Sequence, residues 1–240
     1  MRKKHAAFTL IEMVTVMTII VILAGLVVAV TGYVNRKAAM TRASSEIETI
    51  RLACQNYKAD TGGYPQDAKV ETVNGKATFT PGNTDKLSPK SHYDPSKPDA
   101  EYSKAGKYLY QQLTGDKVGA SAEPDGIPDE GEQIYFKDYD QRIVKADRDP
   151  TSQKITRVYY FWDPFGYPYG YSTAAMLEEQ IYQAEIKAGN TGVKRKTGDS
   201  LPGYNLTTFD IWSTSGEKLS IAPTTETDKL NAQAKWLKNW

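Results

Sequence analysis

Met1-Arg-Lys-Lys-His-Ala-Ala-Phe-Thr-Leu-Ile-Glu12 opens the chain, and the apolar run from Met13 to Asn35 follows it without a single formal charge. As a helix with about 1.5 Å of rise per residue, the 23 residues of that run cover about 35 Å, against about 30 Å for the hydrocarbon core of a bilayer. One membrane span is expected, over residues 8–35. Glu12 lies near its start, where an ionised carboxylate costs roughly 2.5–3.5 kcal/mol on insertion scales, so the acid calls for a partner that the segment itself is not expected to supply. Ala6 and Ala7 precede the apolar core rather than follow it, which is the wrong order for a secretory signal removed whole. Cleavage after Ala7 leaves the helix on the mature protein.

The helical pattern continues beyond the span. Ala43, Ile47, Ile50, Cys54 and Tyr57 recur at spacings of four and three and draw one apolar stripe, with Arg42, Ser45, Glu46, Glu48, Thr49 and Lys58 between them. Asp60-Thr-Gly-Gly63 ends the pattern, because glycine accepts the left-handed conformation that closes a helix, and Tyr64-Pro65 resists more of it. Residues 8–63 therefore read as one long helix and its exit, with Phe8 to about Thr61 spanning about 80 Å. Gly25 and Gly32 each weaken that helix by about 1 kcal/mol relative to alanine and mark either a hinge or ordinary membrane-helix composition.

Composition separates this segment from the rest. The chain has 240 residues and a formal net charge of +1, and its mean hydropathy is −0.55 despite the span, so residues 64–240 form a distinctly polar head. No basic patch has the density that nucleic-acid binding requires. The single cysteine, Cys54, excludes an intramolecular disulfide and lies on the apolar stripe, as a packing residue does. Arg2, Lys3 and Lys4 favour a cytoplasmic amino terminus, but Arg36, Lys37 and Arg42 follow the span and leave charge alone indecisive.

The head reads as α+β. Asn83 to Ala105, with its closely spaced prolines, reads as loop, and a short helix is expected around Lys107 to Leu113. Gln133–Phe136, Lys154–Trp162 and Thr207–Ser213 are strand-like and suggest a small antiparallel sheet, interrupted by a helix over Thr173 to Lys187. Leu230, Ala234, Trp236 and Leu237 give the tail a near-helical spacing that suits docking on the head. In the acidic stretch Glu123 to Glu132, a Ca²⁺ ion would use Asp125, Asp129 and Glu130, although the ligand ladder of an EF-hand is absent and a solvated loop fits better. No other cofactor is expected.

Ala7-Phe-Thr-Leu-Ile-Glu12 resembles the class III leader of type IV prepilins and type II secretion pseudopilins, with Ala7 where that family has glycine. The resemblance implies cutting before Phe8 by the membrane-embedded prepilin peptidase, methylation of the new terminus, and a cytoplasmic amino terminus with the head outside the inner membrane. It also implies that Glu12 meets the charged amine of Phe8 on a neighbouring subunit, in a homopolymer whose core is a helix bundle. Assembly then needs an inner-membrane platform and minor pilins or pseudopilins, and the filament stands in the periplasm or on the cell surface.

Three further stretches resemble the major, G-type pseudopilin of type II secretion. They are the helix exit Tyr57 to Pro65, the turn Asp163-Pro-Phe-Gly-Tyr-Pro-Tyr-Gly-Tyr171, and Phe209 to Gly216 as the last strand and its loop. Residues 66–157 and 176–203 read as insertions. After Gly216 the acidic calcium loop of that family is replaced by Glu217 to Glu226, where oxygen ligands are sparse, so calcium dependence does not carry over. Around the turn, Tyr159, Tyr160, Phe161, Trp162, Phe165, Tyr167, Tyr169 and Tyr171 serve either core and subunit packing or a carbohydrate platform.

Two other classes stay open. A minor pilin or surface adhesin fits the long insertions. A membrane-tethered exported enzyme would have to work with two histidines, His5 and His92, which nearly excludes a histidine-based triad or multi-histidine zinc site, and no carboxylate pair is selected by spacing.

Overall fold

The computed structural model describes residues 9–96, 101–117, 123–137, 139–219 and 223–240, and the chain divides by its contacts into two units, Met1–Thr41 and Arg42–Trp240. Helix α1, Leu10–Thr61, contributes to both. In the first unit every side chain described between Thr9 and Ala38 is exposed, including Ile11, Val21, Leu26 and Val28. Among the described residues α1 is the one helix long and apolar enough to cross a membrane. The hydroxyls of Thr15, Thr18 and Thr31 donate to the carbonyls four residues back, at 3.0, 2.8 and 2.7 Å, so these polar groups are satisfied inside the helix as a lipid surrounding demands. Gly25 and Gly32 do not interrupt it.

In the second unit the stripe foreseen on α1 is the buried one: Ala43, Ile47, Ile50 and Cys54 are buried, joined by Ala53, and Tyr57 is half-buried. Gly62 closes the helix at φ +84°, its N–H donating to the Lys58 carbonyl at 2.8 Å.

Around the stripe the chain builds an α+β head. Strands β1 (Lys69–Val73) and β2 (Lys76–Thr80) form an antiparallel hairpin whose turn residues Asn74 and Gly75 both have positive φ, the two-residue geometry that matches strand twist. Helices α2 (Asn83–Lys86) and α3 (Glu101–Thr114) follow. Strands β3 (Val144–Arg148) and β4 (Ile155–Phe161) pair antiparallel with two register shifts. A three-stranded antiparallel sheet has the order β5-β6-β7, from Gly170–Ser172, Asp210–Ser213 and Leu237–Lys238, with α4 (Ala174–Lys187) and α5 (Glu226–Gln233) between its strands in sequence. The arrangement of one long amino-terminal helix and small antiparallel sheets is consistent with a pilin-like fold.

The main core sets Ile47, Ile50 and Cys54 of α1 against Leu109, Tyr110 and Leu113 of α3, Val158 and Phe161 of β4, and Tyr169, Tyr171, Phe209 and Ile211. A second cluster gathers Leu87, Tyr93, Tyr102, Trp212 and Trp236, with the two indoles stacked at 6.1 Å. Gly170 permits it, since a Cβ there would stand 2.1 Å from the Trp212 ring.

Several expectations need correction. Asn83 to Ala105 is not all loop: α2 lies within it and α3 begins at Glu101. Gln133–Phe136 is not a strand, because the N–H groups of Tyr135 and Phe136 both turn to the Leu113 carbonyl at the end of α3, at 2.8 and 2.9 Å. The tail is helical only to Gln233 and then extends into β7, placing Trp236 in the second cluster. Among the described residues the expected single small sheet is instead three separate antiparallel ones.

Candidate functional site

Thr9 stands immediately before α1, and Leu10, Ile11 and Glu12 are its first turn. The Thr9 N–H and the Thr9 hydroxyl both donate to Glu12 Oε2 at 2.8 Å, and the Glu12 N–H donates back to Thr9 Oγ1 at 3.3 Å. This is a reciprocal capping box, with threonine at the cap and glutamate three residues on, and it puts a negative charge at the positive end of the helix dipole. The expectation that the segment offers Glu12 no partner is therefore wrong in one respect. Thr9 supplies two donors. Among the described residues, every hydrogen bond to this carboxylate falls on Oε2, so Oε1 keeps its capacity for a donor from outside the chain. Thr9 was missed as a functional residue although its signal, Thr-x-x-Glu before an apolar run, was present in the sequence. Ala7 and Phe8, the expected processing and methylation positions, lie outside the described residues.

The Asp163 turn is organised by its own carboxylate. Oδ1 accepts the N–H groups of Phe165 and Tyr167, each at 3.0 Å, and Oδ2 accepts the Ser213 hydroxyl at 2.5 Å, while Gly166 takes φ +87°. Burial raises the Asp163 pKa, and the hydroxyl and backbone donors oppose that rise. The aromatic residues of this stretch divide. Phe161, Tyr169 and Tyr171 are buried, and Tyr159, Tyr160, Trp162, Phe165 and Tyr167 are half-buried. Tyr169 donates to Glu46 Oε2 of α1 at 2.6 Å, beside the Arg42–Glu46 ion pair of the same length, and Tyr171 donates to the Pro65 carbonyl at 2.9 Å. The turn is thus tied to α1 and its exit.

In the acidic stretch the side chains are engaged by the chain itself. Asp116, fully buried, accepts the Tyr110 hydroxyl at 2.7 Å and the N–H groups of Asp125 and Gly126 at 3.1 and 2.7 Å. Asp125 accepts the Ile127 N–H and Asp129 the Lys117 N–H, at 3.0 and 2.9 Å. Among the described residues no group of three or more His, Cys, Asp or Glu side chains is placed to hold an ion. Asp210 behaves like Asp116 and Asp163. It accepts the N–H groups of Tyr204 and Asn205 and the Asn205 amide, and burial raises its pKa to about 6. His92 accepts the Ser88 N–H on Nδ1 at 3.0 Å within its loop. These polar side chains anchor turns.

Residues 2–28 match the family described as the prokaryotic N-terminal methylation motif. No curated protein and no solved structure matches the chain. The matched stretch runs from the basic leader through Thr9 and Glu12 into the exposed apolar half of α1. The match is confined to this amino-terminal segment, and it supports a type IV pilin-like signal there, of the kind processed by prepilin peptidase, on a helix suited to membrane anchoring.

Proposed function

We propose that this chain is the structural subunit of a pseudopilus or type IV pilus-like filament that supports protein secretion. It enters the inner membrane through residues 8–35 with its amino terminus cytoplasmic and its head, residues 64–240, in the periplasm. Prepilin peptidase then cuts between Ala7 and Phe8, the Phe8 amine is methylated, and subunits polymerise through their helices on an inner-membrane platform. The observation that carries this reading is the methylation motif falling on a helix start where Glu12 is capped but retains acceptor capacity. A charged amine from the next copy at Glu12 would replace lipid by an opposite charge in low dielectric, where attraction is strong.

Support for the secretion assignment comes from the Tyr57 to Pro65 exit, the Asp163 turn and the Phe209 to Gly216 stretch, which resemble the G-type pseudopilin and meet in one core. The β1–β2 hairpin favours a second reading, a minor pilin or adhesin, because all of β1 is exposed, Val70 and Val73 included. Copy number relative to other pilin-like proteins in the cell separates the two.

The test is Glu12→Ala in the native system. Insertion and trimming should be retained, with mass spectrometry showing Phe8 as the first residue, and filaments should be absent from sheared fractions. Normal filaments from this variant, or a native protein still carrying residues 1–7, would falsify the proposal.

A further inference from the structure

Every residue of β1 is exposed, whereas Ala77 and Phe79 of β2 are half-buried and Lys76 of β2 is tied to Glu185 of α4 at 2.8 Å. Among the described residues β1 pairs with β2 alone, so its other edge is open and is a template for a further strand. The turn decides which groups that edge offers. Val73 and Lys76 flank Asn74-Gly75 as a hydrogen-bonded pair, and the antiparallel alternation then turns the N–H and C=O groups of Val70 and Thr72 outward. Lys69 and Glu71 flank Val70 and share the opposite face, set against the uncharged Thr80 and Thr78. Among the described residues neither of these charged side chains has an ion pair or hydrogen bond.

We propose that β1 pairs antiparallel with β1 of a second copy of this chain, about a two-fold axis at Val70, joining two β1–β2 hairpins into one sheet. The outward groups allow an antiparallel register centred on Val70, Glu71 or Thr72. Centring on Glu71 sets that carboxylate against its own copy, and centring on Thr72 sets it against Val73. Centring on Val70 sets Lys69 of each copy against Glu71 of the other, so opposite charges face each other on both sides of the axis and no like charges meet. The order Lys-Val-Glu is thus its own complement when reversed. On the other face Val70 meets Val70, with Phe79 of each copy beside it across the hairpin, which covers the exposed valine side chains. The contact is isologous and closes at two copies. Neighbours along a helical fibre are related by a screw instead, so this contact joins one fibre to another and is independent of the helix bundle proposed above.

The test is disulfide trapping of the full-length protein in detergent, where the natural thiol, Cys54, is buried and silent. Val70→Cys should cross-link to a dimer on mild oxidation, because the paired Cα atoms stand about 5.5 Å apart in this register. Val73→Cys should not, since its two copies lie about 20 Å apart along the strands. In the Val70→Cys background, Lys69→Glu or Glu71→Lys turns both attractive pairs repulsive and should slow cross-linking about thirtyfold at low salt, with a smaller gap at high salt. Mixing the two single charge variants, or combining them in one chain, restores both opposite-charge pairs and should restore the rate. Equal rates at Val70 and Val73 overturn the pairing, and that is the result expected if copies associate only through their spans. A single charge variant that cross-links as fast as its parent overturns it too. So does a loss that neither the mixture nor the double variant recovers, which assigns these charges to a different partner.

Discussion

The two halves of α1 share one backbone and differ in what surrounds it. From Met13 to Val34 the helix carries no charge and apolar residues fall on every side of it, whereas from Ala43 to Tyr57 they fall along one stripe with polar residues elsewhere. An all-round apolar helix has no face to offer a protein core in preference to any other, and a lipid surrounding satisfies it equally in every direction. An amphipathic helix has one, and α3, β4 and the Tyr169–Tyr171 stretch cover it. The same helical rise thus carries two solvents in succession, and the change from uniform to striped marks where one gives way to the other.

The contrast predicts opposite sensitivities. Ile50 is fully buried against the head, so Ile50→Ala should cost about 2–5 kcal/mol in chemical denaturation of the detergent-solubilised chain. Ile20→Ala, a change of the same size in the span, should cost less than about 1 kcal/mol, since lipid or detergent fills the space and no cavity remains. Comparable losses at both positions would mean that the span half has a protein core of its own. Gly170→Ala is expected to fall between them, at about 1–3 kcal/mol, because its new methyl must displace the Trp212 ring from the stack with Trp236.

The same contrast explains what could be read from the sequence. The span, the stripe and the Gly62 exit were legible because each is a local, periodic signal over many residues. Strand β4 and helix α4 were legible for the same reason. The β1–β2 hairpin was missed although Asn74-Gly75 between alternating residues is a strong local signal, because the charged and threonine-rich flanks hid the alternation. Gln133–Phe136 misled in the other direction: its apolar and aromatic composition suits a strand, but Phe136 is held in a core against Phe161 and its backbone is drawn to the end of α3. The residues that anchor the turns, Asp116, Asp163 and Asp210, were invisible as such. Their donors include the Tyr110 hydroxyl of α3 for Asp116 and, 50 residues away on β6, the Ser213 hydroxyl for Asp163, and no spacing rule connects Asp163 to Ser213.

Those buried aspartates also give the head a pH response that the uncharged run of the span lacks. Burial holds the Asp210 pKa at about 6, above the ordinary value of about 3.9, so between these the folded state binds the extra proton. Stability from this group is therefore full below pH 4 and declines as pH rises through 6, by up to roughly 3 kcal/mol. Asp163 and Asp116 are shifted in the same direction, each chiefly by burial. Asp210→Asn should flatten the fall in urea midpoint between pH 4 and 6 relative to wild type. An unchanged slope would show that Asp210 ionises normally in the folded head.

The smallest effect belongs to the helix start and tests whether the two halves are energetically separate. Thr9→Val keeps the shape of the side chain but removes the hydroxyl that donates to Glu12 Oε2 and accepts the Glu12 N–H, while the Thr9 N–H bond can persist. In detergent micelles the Glu12 amide should exchange about fivefold faster, the factor that corresponds to an ordinary N-cap. The unfolding transition of the head should stay where it was, because Thr9 lies in the unit that ends at Thr41 and none of its hydrogen bonds reaches the core. If the transition moved by several degrees, fraying at the first turn would be transmitted along more than thirty helical residues to Ala43. The two solvents of α1 would then be coupled through the backbone, and the stripe alone would not account for the stability of the head.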